Sequence, residues 1–588
     1  MSLQFITGNS GNGKTKYLFN RIVKEAKANP RDNYLVIVPE QFTMQTQRQL
    51  VDLSENKAIM NIDVLSFKRL AYRVFDELGI TNLTVLEETG KNLVLRKLAA
   101  QEADKLGVIG RNLNRIGYIS EVKSLLSELV QYNISPEELG RYIASGRLSD
   151  TLSDKLKDVL VLYEAFEKFM QDKYITAEEI LNVLSNVAEE SAILRNSVIA
   201  FDEFTGFTPI QNQLIKKLFV ISKKIYVTLT IDCREDIFKS RGMQELFDMP
   251  KRTVKSLTEM AAFYGIEVEE PIILDKNYRL AENEELSFME QQLFRKRRCS
   301  FKKAPKHIHI DCLRDPKQEL TKIARRINEL VRNENLRYRD IAIVTGDVNI
   351  YAGYVREIFD KYNIPYFIDA TQEILFHPFI EFIRSIPDIA AQNFSADAVF
   401  RFLRCGFSEL LDSEIDVLEN YVLACGVRGK SAWDKKWVRL PKHKAGYDIE
   451  LLNQSREYIM ELLKPVYQVF SDKKSTVKDY VLAIYKLIVL LDIPDKLAKK
   501  EQALLDAGDQ TASKEYGQIY KIVMQLFEKY VAVLGDECMD AEEFTQILDA
   551  GLDAADVAVI PPGYDTVTIG DIERTRLTNI KVMFFAGV

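Results

Sequence analysis

Eight residues near the amino terminus, Gly8-Asn9-Ser10-Gly11-Asn12-Gly13-Lys14-Thr15, follow the spacing G-x-x-x-x-G-K-[ST]. Glycines at those places let a loop aim backbone N–H groups at phosphate oxygens. A lysine there reaches the β and γ phosphates, and the threonine hydroxyl is a ligand for Mg2+. The chemistry indicated is binding of a nucleoside triphosphate, ATP with Mg2+. A glycine-rich turn without a ligand is the alternative. It is disfavoured because residues 4–7 read as a strand, while Tyr17, Leu18, Ile22 and Val23 give the segment after the loop an apolar helix face.

A phosphate loop needs carboxylates at the end of a neighbouring strand. Val198-Ile199-Ala200-Phe201-Asp202-Glu203 supplies them, Asp202 for Mg2+ and Glu203 to activate the attacking water. An acidic turn after a strand is the plainer alternative, since Asp-Glu pairs are common.

These residues must be positioned by a scaffold, and the rest of the chain outlines it. The chain has 588 residues, 47% hydrophobic and 28% charged, which is the composition of an ordinary globular protein with several domains. The net charge of −7 argues against indiscriminate coating of DNA without excluding a local basic channel. Six scattered cysteines (Cys233, Cys299, Cys312, Cys405, Cys425, Cys538) and four histidines (His307, His309, His377, His443) make no metal-ligand spacing and suit a reducing cytoplasm. The most apolar stretch, residues 480–491, is too short to span a membrane and is broken by Lys486, so no membrane is expected among the partners.

Short apolar runs at 4–7, 34–38, 198–201 and 225–231 read as buried parallel strands. Between them, Leu152, Leu156, Val159, Tyr163, Phe166 and Met170 recur at helical spacing, as do Ile119, Val122, Leu126 and Leu129. A second set of strands is expected at 307–310, 341–345, 366–369, 566–570 and 581–588. The organisation expected is α/β. One domain comprises 1–87 and 185–293 with a helical insertion at 88–184; a second comprises 294–391 and 557–588 with a helical insertion at 392–556. The last residues, Val582-Met583-Phe584-Phe585-Ala586-Gly587-Val588, have no helix after them to cover them, so a longer natural chain is expected.

Three further segments resemble one family. Asp202-Glu203-Phe204-Thr205-Gly206-Phe207-Thr208-Pro209-Ile210-Gln211 is similar to the D-E-F-Q-D-T-N-x-I-Q segment of UvrD/RecB-type helicases. Ile231 to Gly242 resembles their G-D-x-x-Q-S-I-Y-x-F-R-G, and Leu274-Asp275-Lys276-Asn277-Tyr278-Arg279 matches L-x-x-N-Y-R. There are departures as well. Thr205-Gly206 stands for the family's Q-D and Glu235 for its γ-phosphate-sensing glutamine. Thr568 to Arg576 stands for T-x-H-x-x-K-G-x-E, and only seven residues precede the loop, where a base-reading glutamine would lie. A phosphate loop kept beside altered coupling motifs resembles the AddB (RexB) half of the bacterial AddAB (RexAB) helicase–nuclease. Val36-Ile37-Val38-Pro39-Glu40-Gln41, Asp340 to Val344 and Ile364 to Asp369 are similar to AddB proteins too.

The resemblance implies two RecA-like P-loop NTPase domains of the helicase superfamily one type, with Arg279 as the phosphate finger. It implies a protein that binds ATP and DNA in a machine processing double-strand breaks for recombination, with an AddA-type motor and nuclease as its partner in a heterodimer. It further implies a role in Chi recognition without translocation, and a nuclease with an iron–sulfur cluster in the full-length family member, outside this chain. The alternative is an autonomous ATP-driven helicase of the UvrD type. A metabolite kinase is disfavoured by the second α/β set and the Arg279 segment.

Contacts to double- and single-stranded DNA are less specific in the sequence. Residues 294–306 hold Arg295, Lys296, Arg297, Arg298, Lys302, Lys303 and Lys306 and no acid, fitting either phosphate contact or a solvated linker. Trp433 and Trp437 stand among cations, where bases could stack, but four-residue spacing more often means two rings packed on one helix face. His377, before Pro378, reads as a turn histidine rather than a catalytic one.

Overall fold

The structure, a computed structural model, describes the chain apart from residues 81–84, 87, 109, 111–117, 147, 171–173, 296–298, 370–371, 375, 441–446, 473, 554–555, 558–564, 574, 576 and 578–579. The chain divides into two compact units. Unit 1 comprises Met1–Glu87, Asp104–Gly110 and Glu121–Ile310; unit 2 comprises Glu88–Ala103, Arg111–Ser120 and Asp311–Val588.

Unit 1 carries β1 (Ser2–Gly8), β2 (Tyr34–Ile37), β3 (Ile62–Leu65), the short pair β4 (Val85–Leu86) and β5 (Ile175–Thr176), β6 (Val198–Phe201), β7 (Lys224–Thr230), β8 (Glu267–Val268) and β9 (Ile272–Leu274). The main sheet runs β3-β2-β6-β7-β1-β8, with β9 also on β1, and its pairings are parallel. β1 therefore lies inside the sheet, flanked by β7 and by β8 and β9. Its buried run of Leu3, Gln4, Phe5, Ile6 and Thr7 reflects that place, because a central parallel strand is covered on both faces.

Alternate residues of the strands feed two separate cores. Leu3, Phe5, Leu35, Ile37, Ile199, Phe201, Ile225 and Val227 pack against helices Phe67–Leu78, Ile180–Val187, Pro209–Ile221 and Asp248–Phe263. Ile6, Tyr34, Val36, Val198, Ala200 and Tyr226 pack on the other side against helices Lys14–Ala28 and Thr43–Leu53. Burying about 25 cal/mol per Å2 of apolar surface on both faces makes this sheet the rigid floor of the unit.

Unit 2 holds a four-stranded parallel sheet in the order β11-β14-β10-β15, from β10 (Ile341–Thr345), β11 (Tyr366–Ile368), β14 (Val567–Asp571) and β15 (Val582–Ala586). A short antiparallel pair joins β12 (Gln372–Glu373) to β13 (Asp556–Val557). Helices Pro378–Ala391, Ile449–Ser471, Val477–Leu490, Gln510–Leu534 and Ala541–Asp553 share one large apolar core. Helix Glu88–Gln101 belongs to that unit. Leu93 enters its core, Lys97 pairs with Glu537 at 2.6 Å, and Arg96 donates to Gln546.

The chain is thus a mixed α/β protein with parallel sheets, as its apolar runs suggest. One expected strand is absent: 307–310 forms none. The backbone N–H groups of Lys306 and His307 donate instead to the Glu285 carboxylate, both at 2.8 Å, and Ile310 is 94% exposed. Among the described residues no helix is long and apolar enough to cross a membrane.

Candidate nucleotide site

The glycine loop leaves the C-terminal end of β1 and enters helix Lys14–Ala28 through Gly13, whose left-handed φ of 79° favours glycine. Gly11, at φ 88°, is glycine for a second reason: a Cβ there would lie 2.8 Å from the Arg279 Cβ and from the Asn277 Oδ1. No side chain caps this helix. The backbone N–H groups of Gly11, Gly13, Lys14 and Thr15 meet no acceptor among the described residues, so the loop presents a cluster of donors at a positive helix end. Lys14 Nζ donates to the carbonyls of Gly8 and Asn9, each at 3.0 Å. Burial lowers the pKa of its ammonium, and the charges of Glu203 and Asp202 oppose that shift.

β6 delivers the carboxylates. Thr15 Oγ1 lies 3.3 Å from Asp202 Oδ1 and 3.4 Å from Glu203 Oε1, and Thr228 on β7 donates to Asp202 at 2.5 Å. Glu203 adopts φ 66°, an uncommon conformation for a side-chain-bearing residue. Rings of Phe67, Phe201, Phe204 and Phe207 pack around this corner with centroids 5.3–6.4 Å apart and hold it in place. One hydroxyl and two carboxylates converging beside a phosphate-type loop is a donor set that fits a hard divalent cation such as Mg2+.

The segment after β9 clasps the loop from outside. Asn12 Nδ2 donates to the Leu274 carbonyl at 2.6 Å, and Asn277 Nδ2 donates to that of Ser10 at 3.0 Å. The Tyr278 N–H donates to the Gly11 carbonyl, also at 3.0 Å. Arg279 Nη1 reaches Ser10 Oγ at 3.3 Å, while its N–H and that of Leu280 donate to Asn277 Oδ1. Gly8 to Thr15, Asp202, Glu203 and Arg279 are therefore brought together within unit 1. Sequence reasoning gives Tyr278 no role of its own. It is 65% exposed, lies against Gly13 and carries Lys276 Nζ 5.0 Å from its ring centroid. The side chain of Asn9 is a second omission: its Nδ2 donates to Glu290 at 2.6 Å and its Oδ1 accepts from the Cys233 N–H.

Glu235 is turned to cations. Its carboxylate lies 2.6 Å from Lys251 Nζ and 3.4 Å from Arg295 Nη1. Arg295 is thereby set apart from its basic neighbours, being largely buried and paired with Asp232 at 2.5 Å. Lys302 and Lys303 are exposed, with Lys303 on Glu284; Lys296, Arg297 and Arg298 lie outside the described residues, as do Arg574 and Arg576. The tryptophans are core residues: Trp433 is fully buried, Trp437 nearly so, and their ring centroids are 5.3 Å apart. Burial removes their faces from any stacked base. His377 caps helix Pro378–Ala391, accepting from the Phe379 N–H at 3.1 Å, and burial pushes its pKa down to about 4.

Residues 5–290, which include the glycine loop, Asp202, Glu203 and Arg279, match the family model described as ADDB, N-terminal. The chain is similar to the B subunit of the ATP-dependent helicase/deoxyribonuclease of Lachnoclostridium phytofermentans, 39% identical over 598 residues, which cover 100% of this chain and 52% of the relative. The proteins of the same description from Clostridium acetobutylicum and Clostridioides difficile are each 31% identical, again over 100% of this chain and 52% of their own length. The chain spans about half the length of the curated relatives it matches. The chain thus carries the domain described as ADDB, N-terminal, over residues 5–290 and aligns over its whole length with these helicase/deoxyribonuclease B subunits.

Proposed function

We propose that this chain is the ATP- and DNA-binding part of the AddB component of a helicase–nuclease that processes double-strand DNA ends for recombinational repair. Its core is read as two RecA-like domains that bind nucleotide and DNA without translocating, and that take part in Chi recognition beside an AddA-type motor and nuclease. The observation that carries the reading is the convergence of Lys14, the uncapped loop N–H groups, Thr15, Asp202, Glu203 and Arg279 on one point at the end of β1 and β6.

In this reading Lys14 and the loop amides hold the β and γ phosphates, and Thr15 and Asp202 hold Mg2+. That ion neutralises phosphate charge when bound. Glu203 orients the attacking water, Arg279 contacts the γ phosphate, and the open ring of Tyr278 offers a face to the base. The loss of motor coupling is inferred from Glu235. An ionised carboxylate cannot donate to a phosphate, and this one is engaged by Lys251 and Arg295. The iron–sulfur cluster and nuclease centre belong to the longer family members.

The test is nucleotide binding by calorimetry together with ATPase turnover, with and without DNA and the partner. ATP–Mg2+ binding, recovery with a larger motor protein from the native cell, and no DNA-stimulated turnover by this chain alone are the expected results. A second reading, an autonomous motor, draws on the retention of Thr15, Asp202, Glu203 and Arg279 together. DNA-stimulated turnover and unwinding by the isolated chain would establish it and remove the first.

A further inference from the structure

Behind the phosphate loop lies a compact knot of charge. Gly8 is in register with Thr230 on β7, which brings the turn at Asp232 alongside the loop. The Cys233 N–H of that turn donates to Asn9 Oδ1, so the turn and the loop are directly joined. Asp232 is 1% exposed, and Glu235 and Glu245 follow in the same segment. Four cations answer these three carboxylates, the fourth being Arg241, 3.6 Å from Glu245. Arg234 binds Asp232 at 2.6 Å, and Lys251 bridges Glu235 and Glu245 at 2.6 and 3.2 Å. Arg295 joins Asp232 to Glu235, with its guanidinium 5.2 Å from the centre of the Phe247 ring. Its Nε is buried and meets no hydrogen-bond partner among the described residues, and with 18% of the side chain exposed most of this guanidinium faces the knot.

Removing Arg295 would leave buried Asp232 with Arg234 alone and Glu235 with Lys251 alone, one hydrogen bond away from a loop built to receive polyphosphate. Charge left unpaired in a buried site is far more costly than charge in water, and its repulsion is poorly screened. Glu235 and Asp232 would repel each other without the guanidinium that now joins them, and a shift of either disturbs the turn that holds Asn9.

We infer that Arg295 is a positioning residue of the nucleotide site, acting through Asp232, Glu235 and Cys233 on Asn9. It joins Asp232 to Glu235 and offsets their charge behind the phosphates. The inference rests on the nucleotide-binding reading above and deepens it by assigning a role to one member of a basic run that otherwise resembles a linker.

The experiment is ATP–Mg2+ calorimetry on the whole chain and on Arg295→Gln, Arg295→Lys and the double variant Arg295→Gln/Glu235→Gln, with a thermal melt of each. Arg295→Gln should bind about tenfold more weakly, the loss of one charge-assisted contact. Arg295→Lys should keep most of the affinity. The double variant should return to within about threefold of wild type, because the second change removes the carboxylate that repels Asp232 once Arg295 is gone. A purely steric role on Phe247 would not be rescued by altering Glu235. Wild-type affinity in Arg295→Gln, or a loss that the double variant fails to restore, overturns the inference and leaves nucleotide binding intact. If Arg295→Gln does not fold, the double variant and Arg295→Lys decide: both binding close to wild type upholds the inference, and a double variant about tenfold weaker than Arg295→Lys overturns it. A wild-type chain that binds no nucleotide overturns both readings together.

Discussion

Two strand-to-helix junctions, one in each unit, leave a parallel sheet in the same sense and end differently. After β1 the chain makes a glycine-rich turn, and helix Lys14–Ala28 begins with no side-chain cap. After β10 it turns through Gly346 and Asp347, and Asp347 accepts from the Asn349 N–H at 3.0 Å, capping helix Val348–Tyr362 itself. Both helix starts carry the same partial positive charge. In unit 2 a carboxylate of the chain satisfies it; in unit 1 the donors remain open to an outside anion. Parallel α/β architecture alone does not make a phosphate site. The difference is whether the helix start is already answered from within.

The sharpest test of this contrast is whether unit 2 is as closed as it looks. Trp433 has cations near it in sequence but is packed in the core beside Phe400 and Trp437. Trp433→Ala should cost about 3–5 kcal/mol of stability, as for other buried aromatic truncations. Urea unfolding followed by the remaining Trp437 measures it. A loss under about 1 kcal/mol, with weakened DNA binding, would return this ring to the ligand surface.

Acid should distinguish the units next. His377 is buried and neutral, with a pKa near 4 against an ordinary value of 6.5. For a base with a depressed folded pKa, the full stability is present above pH 6.5. It declines as pH falls from 6.5 towards 4, where only the unfolded chain takes up the proton, and is flat below. The span amounts to about 3 kcal/mol. Both tryptophans lie in unit 2, so their fluorescence reports this unit. In His377→Asn, which retains a capping acceptor, that component of the slope should disappear; an unchanged slope would assign it elsewhere.

Lys14→Ala should reverse the pattern, leaving unfolding nearly unaltered while weakening ATP by about tenfold or more, from contacts of roughly 1.5–3 kcal/mol each. Equal calorimetric affinity for both proteins would show that the open loop is not the binding element. Smallest is Asp347→Ala, a lost cap worth about 1 kcal/mol of stability with no change in ATP affinity. If that variant gained a phosphate site, occupancy of the helix start alone would explain the contrast.

Much of this is legible in the chain itself, for local reasons. β1, β2, β6, β7 and β10 are short apolar runs, and the phosphate loop is a contiguous motif between a strand and an amphipathic helix. β3, β8 and β9 escape such a reading because they are two to four residues long and only partly buried. The 307–310 run is over-read, since nothing local announces that Glu285 will take its N–H groups. The same limit hides the clasp of Asn277 on Ser10, the Asn9–Glu290 contact and the burial of Arg295. Each joins side chains or backbone groups from distant parts of the chain, and a basic run looks uniform until one member finds two carboxylates.

The interior place of β1 has a temporal consequence. Its flanking strands are made long after it: the partners Asn12 and Leu274 are 262 positions apart, and Gln4 and Glu270 are 266 apart. With synthesis at about 5–20 residues per second, an emerging β1 waits on the order of tens of seconds before both of its edges can be filled. Throughout that interval an apolar strand with two free edges is available for pairing with other chains. The phosphate loop is thus translated well before the strands that flank β1, and the proposed nucleotide site is complete only once β7 and β9 have closed unit 1 around it.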